Sequence, residues 1–323
     1  MSKQVGVLGA VVTVLGAAGF VVSWSSGFVI AAMATVDVAP ATVLAWRFVP
    51  VALLLVILAW SRKLFRGVSA ADIGHQALVG LFAQFGYCVF VYASVASGIT
   101  AGTTALIDAV QPLIVATLVG PLLGLRVRLG QWGGLILGAL GVLLVVQTQM
   151  TGSDAPPLAW LLPALAMVCL VGATFLDRRA TVQLPVLTTM TIHVTVTAVA
   201  SLILAAGTGT LLPPASPMFW LQIVLMAIFP TLAAYGLYWW LLRRVGITAL
   251  NALLFLVAPT TAVAGFLMLG EPLTALTLVG FALCGAGVAA VLVGELKNRP
   301  TDAVRSEQAT TQADAPAREG ARR

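Results

Sequence analysis

The chain has 323 residues, 60% hydrophobic and only 9% charged, with a mean hydropathy of +1.04. Soluble globular domains carry roughly 25% charged residues, so the composition excludes a soluble fold and describes a polytopic membrane protein. The net charge of +6 does not point to nucleic acid, because the basic residues sit in short loops between apolar segments, not in one soluble patch.

Ten apolar segments are read in chain order, each near the roughly 20 residues needed to span hydrocarbon. The first, 7–30, follows Lys3 and precedes Ala32-Met33-Ala34, which imitates a secretory signal. Its apolar run is longer than the roughly 7–15 residues of a signal core, so it is expected to be an uncleaved helix. The second, 40–60, follows a break at Asp37 to Pro40 and carries Arg47. A basic loop (Arg62, Lys63, Arg66) leads to the third, 73–96, with His75 near its start. Ser97-Gly98 separates it from the fourth, 100–121, which holds Asp108 and Pro112. Arg126 and Arg128 precede the fifth, 129–148, and Asp154 the sixth, 158–176. Arg178 and Arg179 precede the seventh, 185–206, where His193 lies among threonines. The eighth, 217–242, ends at Arg243-Arg244 and a break running to Gly246. The ninth, 247–269, contains Pro259; Gly270-Glu271-Pro272 then introduces the tenth, 273–294. Residues 295–323 form a polar tail without apolar periodicity, expected to be disordered and cytoplasmic.

With the N-terminus inside, Lys3, the arginine and lysine loops and the basic tail all fall on the inner side. The outer loops carry Asp37, Asp154 and Glu271 instead. This one-sidedness predicts a multi-pass cell-membrane protein with both termini cytoplasmic and an even number of spans.

The segments also repeat. Tyr87, Phe90, Tyr92, Gly98, Ile99 and Thr100 are echoed by Tyr235, Tyr238, Trp240, Gly246, Ile247 and Thr248, 148 residues later. Pro112 is echoed by Pro259, Gly124 by Gly270, Gly134 by Gly280 and Gly141 by Gly287, so the offset drifts to 146. The two copies, 5–148 and 155–294, each contain five spans. An odd number forces the second copy to enter from the opposite face, and the charges beside the echoed positions swap sides accordingly. The fold class is therefore an all-α membrane protein of ten transmembrane helices in two inverted five-helix repeats. Such repeats characterise secondary transporters, with the site between the halves.

Candidate site residues are the ionisable and aromatic groups inside the spans. An intramembrane charge is costly and functional by default unless it pins helices together. Arg47 lies ~10 Å and Asp108 ~12 Å from the outer ends of their helices at 1.5 Å per residue. They are expected to form an ion pair or to share a water-filled cavity. His193, ~14 Å deep, is either a hydrogen-bonded packing residue or a substrate or proton group. Tyr87 and Phe90 share one helix face, as do Tyr235 and Tyr238. A cavity lined by Tyr87, Tyr235 and Tyr238 would suit planar or amphipathic organic molecules, the alternative being interfacial anchoring. Pro112 and Pro259 are expected to kink their helices. Gly120-x-x-x-Gly124, Gly134-x-x-x-Gly138, Gly285 and Gly287 are expected to allow close helix contact.

Cys88, Cys169 and Cys284 fall singly inside apolar segments, and with two histidines a metal centre is not expected. No cofactor and no nucleic-acid partner is expected. The lipid bilayer and a small-molecule substrate are the predicted partners, and the sequence leaves the oligomeric state open. There is no Gly-x-x-x-x-Gly-Lys-Ser/Thr run, so transport would draw on an ion or substrate gradient. The candidates for proton coupling are Asp108 and His193; if Arg47 holds Asp108 as an ion, either His193 serves or there is no proton coupling at all.

The paired five-helix copies, Trp46-Arg47-Phe48 and Gly270-Glu271-Pro272-Leu273-Thr274 followed by Gly280 and Gly287 resemble the EamA family of the drug/metabolite transporter superfamily, over about residues 5–294. The first copy departs from that pattern, reading Gly124-Leu125-Arg126 without the acidic position. The resemblance implies a ten-helix bundle around a central cavity, alternating access, and export or exchange of small metabolites, amino acids or drugs, with no enzymatic activity. The alternative is an intramembrane enzyme acting on a lipid or isoprenoid substrate. That enzyme would need clustered carboxylates or a phosphate-binding pocket.

Overall fold

The computed structural model describes residues 2–111, 114, 118, 129–177, 179, 180 and 182–296, and every regular element among them is helical. Helix α1 (Ser2–Ala34) is followed by α2 (Pro40–Ser61) and α3 (Ala70–Gly80). A π-helical segment, Leu81–Gly86, joins α3 to α4 (Tyr87–Ala96). Then come α5 (Ala101–Asp108) and α6 (Leu129–Gly152). A short 3-10 turn, Pro157–Trp160, leads into α7 (Leu161–Asp177), followed by α8 (Val186–Gly207). Helix α9 (Pro217–Met226) passes through a second π segment, Ala227–Ala233, into α10 (Ala234–Leu254). The last two helices are α11 (Val257–Leu269) and α12 (Ala275–Leu296).

Six helical stretches are long and apolar enough to cross a membrane: 9–34, 40–61, 70–96, 157–177, 186–207 and 217–245. Three shorter apolar helices cover 132–148, 257–269 and 275–287. The all-helical membrane class is thus realised, while ten crossings are not established among the described residues. Pro112, the Gly120/Gly124 pair, Arg126, Arg128, Arg178 and the tail from 297 lie outside those residues.

The predicted break at 243–246 is not observed: α10 runs through Gly246 to Leu254, and the chain turns only at Phe255 and Leu256. Pro259 sits in the first turns of the helix that follows, where a missing N–H costs least. The first copy does break at the equivalent place, through Ser97 and Gly98, the latter at φ +90°.

A carboxylate of the second copy caps the helix that follows the break in the first. Helix α5 begins with exposed donors that need acceptors. Thr100 accepts from the Thr103 amide at 3.2 Å. The Glu271 carboxylate accepts from the amides of Ala101 at 2.7 Å and Gly102 at 3.4 Å. Gly270, at φ +68°, ends α11 in the left-handed conformation, and the Glu271 amide donates back to the Gly265 carbonyl at 3.2 Å. Pro272 cannot continue the helix. The second copy thereby caps a helix of the first. At the same offset the residue echoing Glu271 is Leu125, a side chain without an acceptor that lies outside the described residues; the helix of the second copy is continuous.

Equivalent helices of the two copies pack on each other. Helix α2 packs on its echo α8, α6 on its echo α12, and α5 of the fourth segment on α11 of the ninth. Helix α1 packs on α10, and its echo α7 packs on α4. The α6–α12 contact is reciprocal. A side chain at Gly141 would meet the Gly280 carbonyl, and one at Gly287 would meet the Gly134 carbonyl and Gly138. Gly280 echoes Gly134 and Gly287 echoes Gly141, so the two contacts are symmetry mates. Their order along the chains makes the helices antiparallel. Gly285, by contrast, has open space around it.

Two outcomes test this packing. Gly287→Leu should lower the stability of the detergent-solubilised protein by about 1–3 kcal/mol, while Gly285→Ala should stay within about 0.5 kcal/mol, both read by thermal unfolding. Glu271→Ala should cost about 1 kcal/mol through the lost cap. Burial raises the Glu271 carboxyl above its ordinary range, more than the two amides lower it. The folded protein then holds this proton more tightly than the unfolded chain, so stability falls as pH rises through the window just above the ordinary glutamate range. Glu271→Gln should abolish that part of the pH dependence in the same melts.

Candidate functional site

A cavity of about 170 Å³ lies between the two copies. Helix α1 supplies Trp24 and Phe28, one turn apart, and α2 supplies Arg47. The first π segment and α4 supply Gln84, Tyr87, Cys88, Val91 and Tyr92, a run at helical spacing that forms one face. The second copy closes the wall with Leu170 of α7, Pro230 of the second π segment and Tyr235 of α10. Both π segments therefore border the cavity at the point where a wide turn redirects the helix, as such segments often do at functional sites.

Arg47 is 6% exposed. Its Nε and Nη2 donate to the Thr231 hydroxyl at 3.3 and 3.0 Å, and its Nη1 donates to the Tyr92 hydroxyl. The guanidinium also lies over the Phe48 ring at 4.7 Å and the Tyr92 ring at 5.8 Å. Thr231 is itself anchored, donating to the Met226 carbonyl at 2.9 Å. Tyr92 donates to the Met226 sulfur at 3.3 Å. Arg47 thus ties α2 to both third segments. Every partner in this shell is neutral.

The expected Arg47–Asp108 ion pair is not formed. Asp108 ends α5, and its Oδ2 accepts from the Tyr87 hydroxyl at 3.0 Å. Its Oδ1 is buried with no hydrogen-bond partner among the described residues. The carboxyl group does not line the cavity; Tyr87 stands between the two. The α5 C-terminus carries the negative end of the helix dipole, so the backbone opposes a charge on Asp108, and the Tyr87 hydroxyl is the donor that meets it among the described residues. The ion pair read from depth alone fails because equal depth does not fix the face on which a side chain leaves its helix.

His193 lies away from the cavity, at the crossing of α8 and α3. Its Nε2 is 3.0 Å from the Gln76 side-chain oxygen, and Gln76 donates to Asp177 at 3.0 Å. A side chain at Gly80 would meet the His193 backbone, so the two helices touch closely here. Tyr238 turns toward α1, packing against Phe20 at 6.2 Å between ring centres. Tyr235 lines the cavity and Tyr238 does not, so the edge of the cavity falls between two residues offset by only about 60° around the helix. Of the sequence candidates, Arg47, Tyr87 and Tyr235 line the cavity, Asp108 sits behind it, and His193 and Tyr238 lie elsewhere.

Sequence reasoning missed Thr231, Trp24, Phe28 and Gln84. A neutral polar residue inside an apolar segment was the available signal for Gln84. Thr231 carried none, since threonine satisfies its own helix readily. A second, apolar groove of about 400 Å³ runs between α2, α8 and α10 and shares Tyr235 with the cavity.

The comparisons with known proteins agree with this architecture. A solved crystal structure matches 89% of this chain and 98% of its own, with a TM-score of 0.60 at 19% identity, which establishes a shared fold. A chloroplastic WAT1-related protein of Arabidopsis thaliana is 28% identical over 263 residues, 76% of this chain. The chain spans about 60% of the length of that relative. The model of the EamA-like transporter family matches residues 11–147 and again 158–293. By that double match over most of its length, the chain belongs to the EamA-like transporter family.

Proposed function

We propose that this chain is a secondary transporter that exports or exchanges small organic molecules across the cell membrane by alternating access between inverted halves. The observation that carries the reading is the cavity walled by both copies around Arg47, in a member of a transporter family. The antiparallel packing of equivalent helices supports inversion. The one-sided distribution of basic residues supports cytoplasmic termini.

The coupling ion in this reading is a proton, and Asp108 carries it. The condition that favoured His193 was an Asp108 held by Arg47, and that contact is absent. Asp108 has one buried oxygen without a partner among the described residues and the other on Tyr87, whose ring faces the cavity. A proton on Asp108 would remove the buried negative charge, and Tyr87 would report its presence to the cavity.

Membrane vesicles with an imposed pH gradient test both parts. Wild-type protein should drive net movement of substrate against its gradient and should also exchange labelled for unlabelled substrate. Asp108→Asn should lose gradient-driven movement while keeping exchange within about threefold, the mark of a carrier that binds but no longer couples. Equal loss of both modes at equal membrane levels would assign Asp108 to folding or binding. Neither mode in wild type would remove the transport reading.

A further inference from the structure

Resting on the transport reading, we infer that the cavity takes a small organic monoanion, an acidic head on an apolar or aromatic body, with Arg47 as its anchor. The uncompensated charge comes first. A guanidinium has five N–H donors and is always charged. Three donors of Arg47 are spent on two hydroxyls, which leaves one N–H on each terminal nitrogen. Among the described residues no carboxylate pairs with it. A cation in this setting is stabilised by an anion, and the cavity at its side is where one would sit.

The rest of the wall defines the body. Trp24, Phe28, Tyr87, Val91, Leu170 and Tyr235 present rings and aliphatic groups. Planar rings are well suited to stack against these. The cavity of about 170 Å³ accommodates a single ring with a short acidic arm.

The charge count excludes neighbouring classes. A phosphate dianion needs more than one cation, and the wall holds one. An amino-acid zwitterion would find no carboxylate on this wall for its ammonium group. The nearest candidate, Asp108, is screened from the cavity by Tyr87. A cationic drug meets Arg47 as a like charge.

Binding and movement are measured separately on the full chain. Purified protein in nanodiscs is titrated with phenylacetate, its neutral amide, phenethylamine and phenylalanine, and heat is recorded calorimetrically. Phenylacetate should bind at least tenfold more tightly than the other three, as expected for a hydrogen-bonded charge. Arg47→Gln should erase that preference and Arg47→Lys should keep part of it. The ranking in wild type alone decides the class, whether or not either variant folds. Tightest binding of phenethylamine, phenylalanine or the amide would overturn it. Benzenesulfonate, which stays ionised and crosses bilayers poorly, is then followed in proteoliposomes. Anion binding without flux of any of these solutes would leave the class standing and remove the transport reading. Flux of a cation or zwitterion with no anion preference would do the reverse.

Discussion

The architecture turns on how a permanent positive charge is kept inside a hydrocarbon layer. Arg47 cannot shed its proton, and each of its donors must be met or left facing a cavity. Thr231 and Tyr92 meet three of them, and they come from the third segments of opposite copies. The second helix of one copy is therefore fastened to the centre of both. Met226, which receives bonds from both Thr231 and Tyr92, closes the ring behind them. The cavity is the space on the open side of that cluster, and its other walls are largely aromatic and aliphatic, with Gln84 among them.

The frame around the cluster uses two devices. Glycines on α6 and α12 remove side chains where the helices cross, so backbones touch and the seam is rigid. The π segments do the opposite in the third segments. They widen one turn, and each places a tyrosine, Tyr87 or Tyr235, just beyond it. Rigid seams at the periphery and irregular helices at the centre put conformational freedom where a ligand would use it.

Most of the frame could be read from the sequence. Hydropathy gave the helical class, the repeat gave the two copies, and small-residue spacing marked Gly134, Gly138 and Gly287 as contact points without naming the helix each would meet. Composition also picked out Arg47, Tyr87 and Tyr235, because charges and tyrosines are rare inside apolar spans. Depth along a helix is legible; rotation about it is not. That is why Asp108 was matched with Arg47 and found on Tyr87, and why Tyr238 was grouped with Tyr235 and found on Phe20. Hydrogen bonds between distant segments, such as Gln76 to His193 and Asp177, have no local signature at all. The missed continuity of α10 has another origin. Gly246 looks like Gly98, and the carboxylate that caps the helix after Gly98 lies more than a hundred positions away.

That distant residue has a thermodynamic consequence. Glu271 holds the start of α5, and its sequence echo, Leu125, is a residue without a side-chain acceptor. If the halves exchange roles as proposed, a carboxylate-tethered helix start and an uninterrupted rod must trade positions, and they cannot do so at equal energy. The two access states are then unequal wells, and the empty carrier rests on one side of the membrane. Such a bias leaves the final gradient untouched, since that is set by the driving ion. It governs which face loads first and how long the unloaded protein waits there.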